Sequence, residues 1–378
     1  MKDNMNQKPT NLKYDKRIYK PGETKIIYDN LKMGEKNLYI ISTPIQLLSA
    51  IEAQKHFETK NNILVILFFL VLDGKNINQM FDLLEFFPYD KLITYQNNNG
   101  VKIFNLIKYI KEISSTKYEN VFFGHSTPLY RRMIANLRYK KLWFLDDGVL
   151  TITVHNQIYN TEISNTNLSS LPSEKTGYKM KLRNLYYWLN NIKIDCQLKD
   201  IRFFTMFSLH KYQNEKIINY DFSYIRELFH TQTEPDNTIY ILGQPLKRAI
   251  KMHTFDYIRY LDSIFKCYSN RQIVYIPHRT EIMSDWFQYI LYSKENVSIV
   301  YPDMPIELYF LKKHIMPTTV ISFITTALFT IKKIFPLSSI KYIKINTTQY
   351  TKHHQENIQL IYDNYKKDGI EKFNCNDD

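Results

Sequence analysis

Short apolar runs and amphipathic stretches follow one another in strict turn along almost the whole chain, and that alternation leaves few folds open. Runs at 37–42, 63–70, 91–95, 120–123, 141–145 and 201–207 read as strands. Between and after them, segments near 44–57, 76–87, 101–113, 128–138, 179–191 and 222–230 carry apolar residues at helical spacing. The pattern then resumes, with strands at 238–242, 272–276, 297–300, 319–322 and 340–345 and helices near 255–268, 284–293, 305–312, 325–334 and 353–367. Apolar runs with no internal alternation are buried on both faces, as in parallel sheets, and strand–helix–strand units join parallel neighbours. Two doubly wound α/β domains are therefore expected, and a chain of 378 residues, 44% of them hydrophobic, is long enough for two cores.

The predicted boundaries follow from composition. Residues 1–36 are polar and basic, with Pro21-Gly22 inside them, and read as a tail or surface strap. A first Rossmann-like domain is predicted over 37–232 and a second over 238–350, with the polar, Pro-bearing segment 231–237 as linker. Residues 351–378 form a C-terminal helix and tail, free to cross back to the first half. The segment 156–177 loses all periodicity and reads as a long loop after Asp146-Asp147-Gly148, a class that includes functional lids. At Thr43-Pro44, a hydroxyl N-cap followed by proline at the first helical position marks the start of the first helix.

Fifty Lys and Arg against 37 Asp and Glu leave a formal charge of +13, which favours a polyanionic partner, an acidic membrane surface or a phosphate-bearing substrate. The many Lys, Asn, Ile and Tyr also fit an AT-rich genome, so charge alone assigns nothing. Three cysteines without a CxxC spacing indicate neither a disulfide framework nor a zinc site, and point to a reducing cytoplasm. The N-terminus lacks the apolar core of a signal peptide, and the longest apolar run, 63–72, is about half of what a membrane-spanning helix needs. GxGxxG, the Walker loop, HExxH and GxSxG are all missing, so dinucleotide, nucleoside-triphosphatase, zincin and serine-hydrolase readings have no support. No Asp-x-Asp occurs either, and no essential metal is expected.

In open α/β sheets ligands bind outside the C-terminal ends of the strands, so charged residues at such ends are the candidates. Asp146 and Asp147 end the run 141–145; as neighbours they point to opposite sides, and either could serve as a base, Asp147 being favoured because Gly148 follows it. The same three residues also make an ordinary polar turn. Pro277-His278-Arg279 ends the run 272–276, and the ring of His278 could bind a phosphate or give it a proton, with Arg279 favouring an anion. Thr325 and Thr326 begin a predicted helix, where free N–H groups attract phosphate but where any N-cap would look alike. Glu307 lies in the first turn of another, suited to a ribose diol or simply to the helix dipole. Gly243 closes the first strand of the second half.

Taken in order, Ser42-Thr43-Pro44-Ile45-Gln46, Asp146-Asp147-Gly148, Leu242-Gly243-Gln244-Pro245, Ile276-Pro277-His278-Arg279, Pro305-Ile306-Glu307 and Ser322-Phe323-Ile324-Thr325-Thr326 resemble bacterial sialyltransferases of the GT-B type, most closely glycosyltransferase family 52 and the bacterial polysialyltransferases. The resemblance runs over 42–328. It implies two Rossmann-like domains facing a cleft, an inverting transfer from a CMP-sialic acid donor to a glycan acceptor of capsule or lipooligosaccharide, no cofactor and no metal. It implies Asp147 as base, His278 as the group that contacts the CMP phosphate and assists its departure, Glu307 on the ribose, and Thr325 with Thr326 on the phosphate. Three departures stand out: Arg279 follows the histidine where the family has proline, Thr325-Thr326 stands where a serine-containing pair is common, and Leu246 follows Pro245 where family 52 carries its carboxylate base. A cytoplasmic enzyme, peripheral on anionic lipid at the inner face of the membrane, would be expected. Two rivals are a GT-B transferase for another CMP-activated acidic sugar, Kdo or legionaminic acid, and a basic nucleic-acid-binding protein using clusters such as Tyr130-Arg131-Arg132 and Tyr186-Tyr187-Trp188. The second gives no reason for charged strand ends. Acceptor, linkage and oligomeric state have no sequence signal.

Overall fold

The computed structural model describes residues 24–69, 74–97, 103–159, 177–196, 198, 200–212, 215–229, 234–245 and 252–375. Within them the chain forms two compact units, the first built from residues up to Thr205 together with His210–Tyr220, the second from Met206–Leu209 and everything from Asp221 onward. The passage at Tyr220 comes earlier than the expected linker. Residues 231–233 of that linker lie outside the described residues, and from Glu234 onward the chain is already strand, its Glu234, Pro235 and Asp236 pairing with Ile315, Met316 and Pro317.

The first unit holds an eight-stranded sheet. Its strands are β1 (Thr24–Asp29), β2 (Asn37–Ile41), β3 (Asn62–Phe69), β4 (Lys91–Asn97), β5 (Lys117–Phe123), β6 (Arg138–Leu145), β7 (Arg202–Thr205) and β8 (Lys216–Asn219), in the order β1-β4-β3-β2-β5-β6-β7-β8. All neighbours are parallel except β1, which pairs antiparallel with β4 at the edge. Helices α1 (Pro44–Phe57), α2 (Gly74–Leu83), α3 (Ile103–Ser114), α4 (Pro128–Ala135), α5 (Leu150–Tyr159) and α6 (Tyr178–Leu189) connect them. Every residue of β2 is buried, and Tyr39 on it stacks on Phe122 of β5 at 4.4 Å between ring centroids. Each fully buried large apolar side chain contributes about 1.5–3 kcal/mol through burial.

The second unit is a six-stranded, fully parallel sheet of β9 (Glu234–Leu242), β10 (Ile273–Ile276), β11 (Val297–Ile299), β12 (Ile315–Ser322), β13 (Ser339–Tyr342) and β14 (Glu371–Lys372), ordered β11-β10-β9-β12-β13-β14. Its helices are α7 (Ser223–Leu228), α8 (Thr254–Cys267), α9 (Asp285–Tyr292), α10 (Ile306–Lys312), α11 (Thr326–Ile334) and α12 (Lys352–Lys367). The C-terminal α12 packs inside this unit, with Tyr365 stacked on Phe329 and Tyr342.

Both sheets reverse their winding once, between β2 and β5 in the first and between β9 and β12 in the second. Because parallel crossovers are right-handed, helices fall on opposite faces on either side of that point and leave a crevice at the strand ends there. The expected fold class, two doubly wound α/β units, is therefore what forms. Some elements differ from expectation. Part of the basic N-terminal segment is the edge strand β1, and the helix α5 begins at Leu150, two residues after Gly148, so the long loop expected from 156 is helical up to Tyr159; residues 160–176 lie outside the described residues, as do 1–23. No described helix is long and apolar enough to cross a membrane.

Candidate active site

The switch point of the first sheet gathers Ser42 after β2, Gly124 and His125 after β5, and Asp146 and Asp147 after β6. Gln46, fully buried in the first turn of α1, ties these ends together: its Oε1 accepts from the Ser42 N–H at 2.7 Å, and its Nε2 donates to the Gly124 carbonyl at 2.9 Å and to Asp147 Oδ1 at 2.7 Å. Thr43 caps α1, accepting from the Gln46 N–H at 3.4 Å, so the local cap legible in the sequence also aims this glutamine. A Cβ on Gly124 would overlap the Gln46 side chain, which makes that glycine a requirement of close approach.

Asp147 Oδ2 faces His125 Nε2 at 3.5 Å, and the His125 ring stacks on Tyr130. Burial raises the Asp147 carboxyl above its ordinary value, while His125 and the Gln46 amide pull it part of the way back. A carboxylate so placed is oriented by Gln46 and His125 and raised toward the range where it can take a proton. Asp146 points the other way, as adjacent strand-end residues must. It is fully buried, accepting from Thr205 Oγ1 at 2.6 Å and Tyr220 OH at 2.8 Å, and so joins β6 to the ends of β7 and β8. Of the two candidate bases, then, Asp147 is the one at the switch point with an accessible edge; Asp146 is enclosed. Gly148 carries them through the turn at φ +65°.

In the second unit β9, β10 and β12 end at Leu242, Ile276 and Ser322, beside the switch point. Gly243 N–H donates to the Ile276 carbonyl at 2.8 Å, and the loop after Pro277 is held by Glu281, whose carboxylate accepts from the His278 N–H at 2.9 Å and from Tyr275 OH at 2.7 Å. Tyr275 in turn meets Tyr257 OH at 2.8 Å, which receives the Gln244 N–H at 3.1 Å. This chain of bonds joins the Gly243 and His278 loops. A Cβ on Gly243 would collide with the Glu281 carboxylate and the Tyr275 hydroxyl, so only glycine fits.

The His278 ring accepts at Nδ1 from the Thr280 N–H at 3.2 Å, and a backbone N–H can only donate; the remaining proton therefore sits on Nε2. Burial, with the charge of Arg279 beside it, lowers the His278 pKa to about 4. That is a neutral hydrogen-bond donor toward an anion, rather than the acid protonated near neutral pH that the sequence left open. Arg279 is exposed. Glu307, buried on the first turn of α10, accepts from Thr330 Oγ1 of α11 at 2.5 Å; burial raises its pKa and the Arg279 charge opposes that. Thr325 caps α11, its hydroxyl accepting from the Ala327 N–H at 3.3 Å, and its own N–H goes to Tyr365 OH at 2.9 Å. Its capping role is thus occupied, and Thr326 follows in the first turn.

From the sequence Gln46 carries no role beyond its place in the Ser42–Gln46 motif, and His125 and Glu281 are not singled out at all. His125 stands after an apolar run just as Asp147 and His278 do, so the same rule could have found it. Among the described residues no three His, Cys, Asp or Glu side chains stand close enough to hold a metal ion. Glu281 carries a testable consequence. Burial pushes its carboxyl up to about 7 from 4.5, so folding is favoured by the protonated form: that stabilisation is whole below about pH 4.5 and is lost as pH rises to about 7. The loss amounts to about 3 kcal/mol at most. Urea unfolding across that range should show wild type losing stability relative to Glu281→Gln, whereas parallel curves would mean a carboxyl in contact with solvent.

No family model and no curated protein matches the chain. Solved structures with a related path include Escherichia coli heptosyltransferase WaaC with ADP (11% identity, TM-score 0.38, 88% of this chain and 98% of that one). Another is the UDP-GlcNAc 2-epimerase of Methanocaldococcus jannaschii (10%, 0.45, 88% and 92%). A third is glycosyltransferase VinC in complex with dTDP (8%, 0.43, 90% and 87%). Likeness this distant leaves the fold to rest on the sheet orders above.

Proposed function

We propose that the chain is an inverting, metal-independent sialyltransferase of the GT-B type, transferring sialic acid from CMP-sialic acid to a bacterial surface glycan, capsule or lipooligosaccharide. The observation that supports the reading is the chemistry at the strand ends of each unit taken by itself: an oriented carboxylate of raised pKa at Asp147, suited to accept a proton, and a neutral imidazole at His278 whose Nε2–H can donate. The motif order from Ser42 to Leu328 supports the CMP-sugar donor.

In this account Asp147 takes the proton of an acceptor hydroxyl as that oxygen attacks the anomeric carbon of the donor. The bond to CMP breaks, its electron pair stays on the phosphate oxygen, and His278 Nε2–H, with Arg279 and the first turn of α11 carrying Thr325 and Thr326, stabilises the charge that develops. Pro277 and Gly243 shape the loops that meet the nucleotide, and Glu307 offers its oxygen not engaged by Thr330 to the ribose. A second arrangement follows from exposure: the side chain of His125 is 32% exposed and that of Asp147 9%, so His125 could take the proton with Asp147 behind it.

The test is turnover. Incubated with CMP-sialic acid and sialyl-acceptor oligosaccharides, the protein should release CMP and give a product heavier by one or more sialic acid residues in mass spectrometry. Release from CMP-Kdo but not from CMP-sialic acid would assign the rival donor.

A further inference from the structure

The helix α6 turns a broad apolar stripe to water. Its outward face carries Tyr178, Leu182, Leu185, Trp188 and Leu189, between 50% and 77% exposed, at the spacing of one helical stripe. On the opposite side Tyr187 is buried under the Arg132 guanidinium, 4.5 Å from its ring centroid, and Asn190 just past the helix bonds back to the Tyr186 carbonyl. Phe104 of α3, 62% exposed, meets Tyr186 edge-on and extends the apolar stripe. A contiguous patch of this kind on a water-facing surface marks an interaction site.

The charges around it favour an anionic partner, the one acidic residue on the adjoining groove, Glu112, being paired with Lys91 at 3.1 Å. No acidic residue occurs in Tyr178–Leu189, which carries three basic ones. Lys181 is exposed beside the stripe, and Lys108 and Lys111 stand on the wall of a groove of about 420 Å³ between α3 and α6, Lys111 reaching Asn190 at 3.5 Å. Leucines flanked by a tryptophan and a tyrosine, rimmed by lysines, suit the boundary between headgroups and acyl chains of an anionic bilayer, where aromatic rings sit at headgroup level and lysine reaches phosphate. We propose that α6 is an interfacial helix that lies on an anionic lipid surface, its leucines in the acyl boundary and Lys108, Lys111 and Lys181 on the headgroups. This inference does not depend on the transferase reading.

The experiment is sedimentation with vesicles of phosphatidylcholine alone and of phosphatidylcholine with phosphatidylglycerol. The protein should pellet with the second, at least tenfold more weakly with the first or at high salt, and the Leu182→Glu/Leu185→Glu variant should lose at least tenfold in partition. Those side chains face water, so the variant should keep the wild-type melting temperature and CMP binding, which separates failure of docking from failure of the catalytic account. As a local readout, in a Trp286→Phe background the emission should shift to the blue on adding anionic vesicles, and Trp188→Phe should abolish the shift. Vesicle binding unchanged by the double variant would overturn the proposal. So would concentration-dependent dimers that the double variant dissociates without any vesicle binding, because the face would then belong to a second copy of the chain.

Discussion

Asp147→Asn should bind CMP within about twofold of wild type and lose transfer by a factor on the order of 10²–10⁴. The substitution keeps the shape and an oxygen for the Gln46 amide, which stands at 2.7 Å in the wild type, and removes the negative charge facing His125 together with the ability to accept a proton. Comparison with His125→Ala then decides which group takes it. If Asp147 is the base, His125→Ala costs about tenfold or less and mainly alters the acid side of the pH profile, since His125 is one of the groups that pull the carboxyl down. Equal losses in both variants would make His125 the base and Asp147 its positioning partner. Turnover near wild type in Asp147→Asn would remove both assignments.

For His278→Ala we expect the larger effect on the donor: CMP affinity and kcat/KM both fall, the second by about 10²-fold or more, because a donor aimed at developing negative charge is lost. The pKa of about 4 adds a sign. At pH 5.5 to 8 the ring of the free protein is already neutral, so CMP binding should show no step near the ordinary histidine value of about 6.5 attributable to His278. His278→Gln, which retains an N–H donor of similar reach, should recover part of the affinity. A wild-type binding step near 6.5 that vanishes in His278→Gln would instead show a ring charged in the complex.

What was legible in the sequence was whatever local chemistry or period sets. The α1 cap at Thr43-Pro44, the buried parallel strands and the opposed directions of Asp146 and Asp147 follow from neighbours along the chain. What was not legible depends on distant partners. Gln46 reads as one more polar residue on a helix, since the groups it holds, Gly124 and Asp147, lie 78 and 101 positions away. Helix α5 is rich in β-branched residues, Leu-Thr-Ile-Thr-Val at its start, and forms because His155 and Tyr159 pack on Phe203, a tertiary contact that overrides propensity. Strand β1 sits within a basic stretch and lies at the sheet edge, where only one neighbour shapes its pattern. Glu281 reads as the fourth residue of an exposed turn; its raised pKa comes from burial, which the hydrogen bonds from Tyr275 OH and the His278 N–H only partly offset. Helix α6 shows amphipathic spacing in the sequence, but the period does not tell which face points inward.

In the proposed function the second unit receives the nucleotide of a CMP-activated sugar. Isothermal titration of the purified protein with CMP, and with UDP as control, tests it directly. Micromolar CMP binding, at least tenfold tighter than UDP and lost in His278→Ala, is the predicted result. No CMP binding at millimolar ligand, or equal binding of UDP that survives His278→Ala, would contradict it.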